Sequence, residues 1–209
     1  MGIPRSTLLD DDGTLTVGSP WNNAELQKIY DNIDAYFGTP RVTLAKSTTE
    51  QIVTNSNVLT SVFSFSVPGG LLSTSGVLLF QMTGYIDLSA VSANLTLTIA
   101  FGGTTIASGV IVTTAACKGP VRLFCEIAAN GASNAQRCTS AVHQETDGAS
   151  TTDAAWSAAA STTVRQSAHS TLAIDTTIAK TFDVSVQWGN VAATSIFKRW
   201  AAHLELVRP

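Results

Sequence analysis

From residue 41 onward the chain alternates apolar and polar residues with a period of two. In SVFSFSV, Phe63, Phe65 and Val67 fall on one side, with Val62, Ser64 and Ser66 on the other. NLTLTIAF sets Leu95, Leu97, Ile99 and Phe101 against Asn94, Thr96, Thr98 and Ala100. VRLFCEI groups Val121, Leu123, Cys125 and Ile127; TFDVSVQW groups Phe182, Val184, Val186 and Trp188; RWAAHLELV groups Trp200, Ala202, Leu204 and Leu206. Successive strand residues point to opposite faces, so these segments predict half-buried antiparallel strands. Turn signals separate them: Pro68-Gly69-Gly70, Gly102-Gly103, Lys118-Gly119-Pro120, Asn130-Gly131 and Gly189-Asn190. The pattern predicts roughly eight to ten strands in two packed sheets, a mainly β chain whose residues 41–209 form an antiparallel jelly-roll-like sandwich.

Residues 21–40 follow a different period. In SPWNNAELQKIYDNIDAYFGTP, Leu26, Ile29, Tyr30, Ile33 and Phe37 recur at helical spacing and make one apolar stripe. Asn22 is placed to cap the start, with Glu25 three residues on, and Gly38 and Pro40 stop the helix. A helix of roughly fifteen residues is marginal alone in water, so its stripe needs a partner, either the body of the protein or the same helix of sister subunits. Residues 1–20 are polar, with Gly and Asp, and read as an extended anchoring arm.

Composition narrows the classes. The 209 residues are 44% hydrophobic but only 13% charged, about half the usual charged fraction. Such a chain has enough apolar residues to fold, and its charge-poor surface suits an obligate assembly, where much of it is covered by neighbours. No apolar run approaches the roughly 20 residues that span a bilayer, so no membrane segment is expected. The net charge of -3 provides no overall basic field, so nucleic acid is not an expected partner. The first residues lack the basic-then-apolar order of a signal peptide, so the sequon Asn94-Leu95-Thr96 is read as spelling only.

The candidate chemistry is thin. LLDDDGTLT spells the first motif of haloacid dehalogenase phosphatases, in which Asp10 would attack phosphorus and Asp12 would handle the proton. That motif works at the end of a buried parallel strand, and GIPRSTLL places a proline and an arginine where that strand should be. The aspartates also lack the Glu and Gly offsets of an EF-hand. They are expected to form a solvated turn. Cys117, Cys125 and Cys138 are odd in number and contain no C-x-x-C pair, so neither a full disulfide framework nor a zinc site is expected. His143, His169 and His203 fall in strands or at their edges, and His203 shares a face with Glu205. Asp87, Asp175 and Asp183 fall near strand ends or turns without glycosidase pairing. No catalytic residue, cofactor or metal is assigned, and no enzyme activity is expected.

Three segments carry a resemblance. DDDGTLTVGSPWNNAELQKIYDNIDAYFG sets an acidic Gly turn before a capped helix. VFSFSVPGGLLSTSGVLLFQMTGYIDLSAVSANLTLTIAFGGTTI runs as strand, polar break, long strand and an apolar strand closing in Phe-Gly-Gly-Thr-Thr. LAIDTTIAKTFDVSVQWGNVAATSIFKRWAAHLELV has an Asp-Thr-Thr turn, a strand ending in Gln-Trp and a last strand. Their order resembles virion proteins of tailed bacteriophages. The resemblance implies a β-sandwich virion component, often trimeric, on the capsid surface or in a tail appendage, and it transfers no catalytic residue.

Two functions follow as expectations. The first is a capsid decoration or head-fibre protein at the virion surface, a homotrimer attached to the major capsid protein or another virion protein through residues 1–40. Leu26, Ile29, Tyr30, Ile33 and Phe37 would serve assembly and anchoring. The alternative is a tail-fibre or receptor-binding module that recognises host surface glycan. Trp188 and Trp200 follow inward alternation and are expected in the core. Trp156, in DGASTTDAAWSAAASTT, lies in a loop too long for a simple hairpin and is the candidate for a distal tip or a subunit contact.

Overall fold

A computed structural model describes residues 41–88, 93–113, 118–147, 161–189 and 195–208. The stripe Leu26, Ile29, Tyr30, Ile33 and Phe37, the aspartates Asp10 and Asp12, Cys117 and Trp156 lie outside them. Arg41–Pro209 forms one compact unit. Its eleven described strands are β1 Arg41–Ser47, β2 Gln51–Thr54, β3 Thr60–Val67, β4 Val77–Leu88, β5 Ala93–Phe101, β6 Thr104–Thr113, β7 Lys118–Ala132, β8 Ala135–Asp147, β9 Ser161–Leu172, β10 Lys180–Trp188 and β11 Ser195–Val207.

Every pairing is antiparallel. One sheet has the order β1-β11-β4-β7-β8-β9, with β2 also paired to β11, and the other has the order β3-β10-β5-β6. The chain crosses repeatedly between the sheets, which gives the jelly-roll-like sandwich that the alternation predicts. The inward positions of both sheets meet around Phe63, Phe80 and Phe182, from β3, β4 and β10. Phe80 lies 5.0 Å from Phe63 and 4.9 Å from Phe182, centroid to centroid. The tilted geometry is the one aromatic quadrupoles favour. Trp188 is fully buried, as its alternation requires.

Period two fails where a strand bulges, because one extra residue reverses every face beyond it. In β3 the register with β10 steps from Phe63 to Ser61, so Val62 is extra and both Val62 and Phe63 are buried. Asn130-Gly131, expected as a turn, is a bulge late in β7, with Gly131 at φ +80; the chain reverses at Ser133-Asn134 instead. Lys118-Gly119-Pro120, also expected as a turn, opens β7 and pairs with Asp87, Ile86 and Tyr85 of β4. Gly102-Gly103 forms the expected two-residue hairpin, with φ of +56 and +81 that favour glycine.

The sandwich has two unlike ends. Arg41 and Val207 pair with each other at one end. The turns there are stitched together: Gln136 Nε2 donates to the Ile174 carbonyl at 3.0 Å, the Ile174 amide donates back to Gln136 Oε1 at 3.1 Å, and the Thr176 hydroxyl donates to the Ser133 carbonyl at 2.7 Å. The strand ends that flank 89–92, 114–117, 148–160 and 190–194 all lie at the opposite end. Gln144, the Trp188 indole nitrogen and the Ser195 hydroxyl are buried in that half without a hydrogen-bond partner among the described residues.

Cys125 and Cys138 sit in the core on neighbouring strands as free thiols. Burial pushes Cys125 up to about 12, with Cys138 and Glu126 adding to the effect. Burial pushes Cys138 up to about 11 against a hydrogen bond with Ser170 that acts in the opposite sense.

Phe182→Ala should cost about 3–5 kcal/mol, because the two sheets cannot close over the lost ring; urea denaturation reads this directly. Gln144→Met should raise stability, by about 1–3 kcal/mol, because it removes a desolvated amide without a partner. The raised thiol pKa values make stability fully present below the ordinary thiol value of 9.0 and progressively lost as pH rises through the folded values. The denaturant midpoint should therefore fall above about pH 9, and Cys125→Ala/Cys138→Ala should weaken that pH dependence. Iodoacetamide at about pH 8 should leave both thiols unmodified in the native protein and label them in urea, read by mass spectrometry of peptides.

Candidate binding face

The outer face of the seven-stranded sheet carries the features most unlike a plain scaffold. Its centre depends on one bulge. The register of β11 with β4 passes from Arg199 opposite Gly84 to Ala201 opposite Thr83, which leaves Trp200 as the extra residue. Up to Arg199 the odd-numbered residues of β11 face inward, and from Ala202 the even-numbered ones do. Trp200, expected in the core, therefore lies on the surface with 43% exposure. The edge strand is broken at the same level: β2 pairs with β11 up to Arg199 and β1 resumes at Ala202. Arg199 fills the gap from inside and donates through Nη2 to the Thr49 carbonyl at 2.9 Å. Gly84 permits the close approach, since a Cβ there would lie 2.4 Å from the Lys198 carbonyl oxygen.

Trp200 stacks on Tyr85, with centroids 5.5 Å apart and ring planes 20° apart. Tyr85 stands opposite Lys198 on one side and the exposed Pro120 on the other. Thr83, two residues along, stands opposite Ala201 and Arg122, and Arg122 stands opposite His143. Paired residues share a face, so Tyr85 has Lys198 directly across on β11 and Arg122 diagonally across on β7, while Trp200 lies two strands from Arg122. Phe124 is also exposed on this face but sits a row further along, opposite Gln81 and Ala141.

The charges on this face are unbalanced. Asp87 pairs with Lys118 at 3.1 Å and Glu205 with Arg41 at 3.8 Å. Among the described side chains, Lys46, Arg122, Arg137 and Lys198 then stand against Glu126. The four-stranded sheet shows the opposite character. Its outer face is a field of hydroxyls, Ser61, Ser64, Thr98, Thr181 and Ser185 among them, around Asp183. Asp183, expected near a strand end, sits within β10 and accepts from the Ser61 hydroxyl at 2.5 Å and from the Ser185 hydroxyl.

The other candidates do not converge. His143, His169 and His203 lie on β8, β9 and β11 at different register positions. Glu205, on the face of His203, is engaged by Arg41. Asp175 caps its own turn by accepting from the amide and hydroxyl of Thr177 at 2.9 and 2.6 Å, and these bonds hold its carboxyl below the usual value. Among the described residues no group of three or more His, Cys, Asp or Glu is placed to hold a metal ion, and no helix is long and apolar enough to cross a membrane. A cleft near the β6–β9 edge, lined by Leu97, Ala107, Gly109, Val142 and Ala168, has about 90 Å³, below the roughly 300 Å³ at which ligand pockets begin.

Sequence reading missed Trp200 and Tyr85 as a surface pair. The only available signal was Arg199, a cation at an inward position, which an unbroken alternation from Trp200 to Leu206 would have sent outward.

No protein-family model matches the chain, and no curated protein matches it. Among solved structures, neighbours include seed lectins and virus particles. Peanut lectin with the peptide PVIWSSATG matches at 7% identity and a TM-score of 0.35, over 81% of this chain and 99% of that one. Lectin I from Ulex europaeus, in complex with the methyl glycoside of alpha-L-fucose, matches at 8% identity and a TM-score of 0.32, over 79% and 98%. The structure of infectious bursal disease virus Gt strain matches at 14% identity and a TM-score of 0.29, over 83% of this chain and 43% of that one. Similarity this distant is no basis for a shared function.

Proposed function

We propose that this chain is a non-enzymatic structural protein of a tailed-bacteriophage virion, a trimeric capsid decoration or head-fibre protein held to the particle through residues 1–40. The observation that carries this reading is the polarity of the sandwich. The chain enters at Arg41, at the end whose turns are stitched by Gln136, Ile174 and Thr176. The segments 89–92, 114–117, 148–160 and 190–194 join strands at the other end. A module tethered at one end and displayed at the other needs this arrangement. The order of motifs along the chain and its low charge support the same reading. The tether contacts the major capsid protein or another virion protein, and three copies on one particle strengthen weak individual attachments through effective concentration. The reading requires no cofactor, nucleic acid or membrane.

One observation favours a second reading, a tail-fibre or receptor-binding module that recognises host surface glycan. It is the exposed Trp200 stacked on the half-buried Tyr85 at the sheet surface.

The full chain and residues 41–209, each mixed with undecorated phage heads and with host cells, separate these readings. The full chain should sediment with heads, and the shortened form should lose at least about tenfold in affinity. Cell binding by 41–209 without head binding by either form would replace the first reading with the second. Light scattering at micromolar concentration should give the mass of three chains; a monomer would remove the trimer.

A further inference from the structure

Trp200 presents a puzzle of cost. A large indole on an open sheet face adds little to folding, since its stabilising value comes from burial. Yet a bulge, a break in the edge strand and a glycine at position 84 all accommodate its outward position. Tyr85 stacks on it, and Lys198 on one side of Tyr85 and Pro120 and Arg122 on the other share the face, on the half of the sheet remote from Arg41.

We propose that this patch binds an acidic saccharide. The apolar C–H face of one sugar ring packs against Trp200 and Tyr85, and Lys198 and Arg122 receive its carboxylate. Arg122 offers a planar fork that matches a carboxylate, and Lys198 a mobile point charge. The chain as a whole carries -3, yet among the described side chains of this face cations outnumber acids, and Lys198 and Arg122 complement an anion.

Size argues against a second copy of the chain as occupant. A stable protein interface takes roughly 800 Å² from each partner. A fully buried aromatic residue supplies only about 150–250 Å², and these two rings already cover each other in part. What remains is an area suited to one or two sugar rings. Arrangement argues against single-stranded nucleic acid, which uses successive stacking platforms along a basic groove. Here one ring pair stands on a sheet face, and Phe124 lies on another row. The proposal draws on the receptor-binding reading only for its biological use. Its chemistry rests on the patch.

The test uses the full-length protein and titration calorimetry with three probes: an oligogalacturonate, maltoheptaose and an oligothymidylate. The expected result is binding of oligogalacturonate that weakens as salt rises, with maltoheptaose at least about tenfold weaker. Trp200→Ala should weaken oligogalacturonate binding at least about tenfold, and Arg122→Gln or Lys198→Gln about threefold or more with a shallower salt dependence. All three positions are on the surface, so unchanged thermal midpoints certify the fold. The proposal is overturned by no heat at about 1 mM oligogalacturonate, by equal binding to Trp200→Ala, or by equal or tighter binding of maltoheptaose or oligothymidylate. A changed mass of Trp200→Ala in light scattering would also sink it, by assigning the patch to a subunit contact. Head binding through residues 1–40 is read separately, so failure here leaves the anchoring reading standing.

Discussion

Two sheets can stay face to face only if their inward side chains interlock, and in this protein the interlock centres on Phe63, Phe80 and Phe182. Phe182 bridges β10 to β4 of the other sheet through Phe80, and Phe63 closes the group from β3. The same facing holds along the inward rows, such as Leu95 to Phe101 and Ala202 to Leu206, because a strand rotated by one residue would withdraw its apolar row from the other sheet. Low charge is a consequence as well as a description. With both inner faces apolar and one outer face mostly hydroxyl, few positions are left where a charge is needed.

Bulges give this regular body its particular features. At Val62 the extra residue adds a second consecutive side chain to the core. Near Gly131 two extra residues, Asn130 and Gly131, shift the β7–β8 reversal to Ser133-Asn134, which puts the Ser133 carbonyl within reach of Thr176 and Gln136. At Trp200 it moves an indole from the core to the solvent and brings Arg199 inward. The same local device therefore serves packing at one site, end-stitching at a second and surface chemistry at a third.

The result is a body with two distinct ends and two distinct outer faces. One end holds Arg41 and Val207, and its turns are bound to one another by Gln136, Ile174 and Thr176. One face is a near-neutral field of Ser and Thr around Asp183, and the other holds the ring pair among cations.

The fold class was legible in the alternation alone. Phe182, Val184, Val186 and Trp188 point inward as their spacing requires, and so do Leu95, Leu97, Ile99 and Phe101, because a half-buried strand has no other way to hide them. The Gly102-Gly103 hairpin was legible too, since few other dipeptides tolerate its backbone. Which strands pair, and where a strand takes an extra residue, was not legible. Pairing joins residues far apart in sequence, such as Tyr85 with Lys198 and Pro120, and a bulge is decided by the packing of the partner strands and by Gly84. Sequence by itself determined that this chain would bury two-sided strands in a sandwich. Only the tertiary structure decided that Trp200 would stand outside it, because a single unpaired residue in β11 reverses the faces that period two assigns.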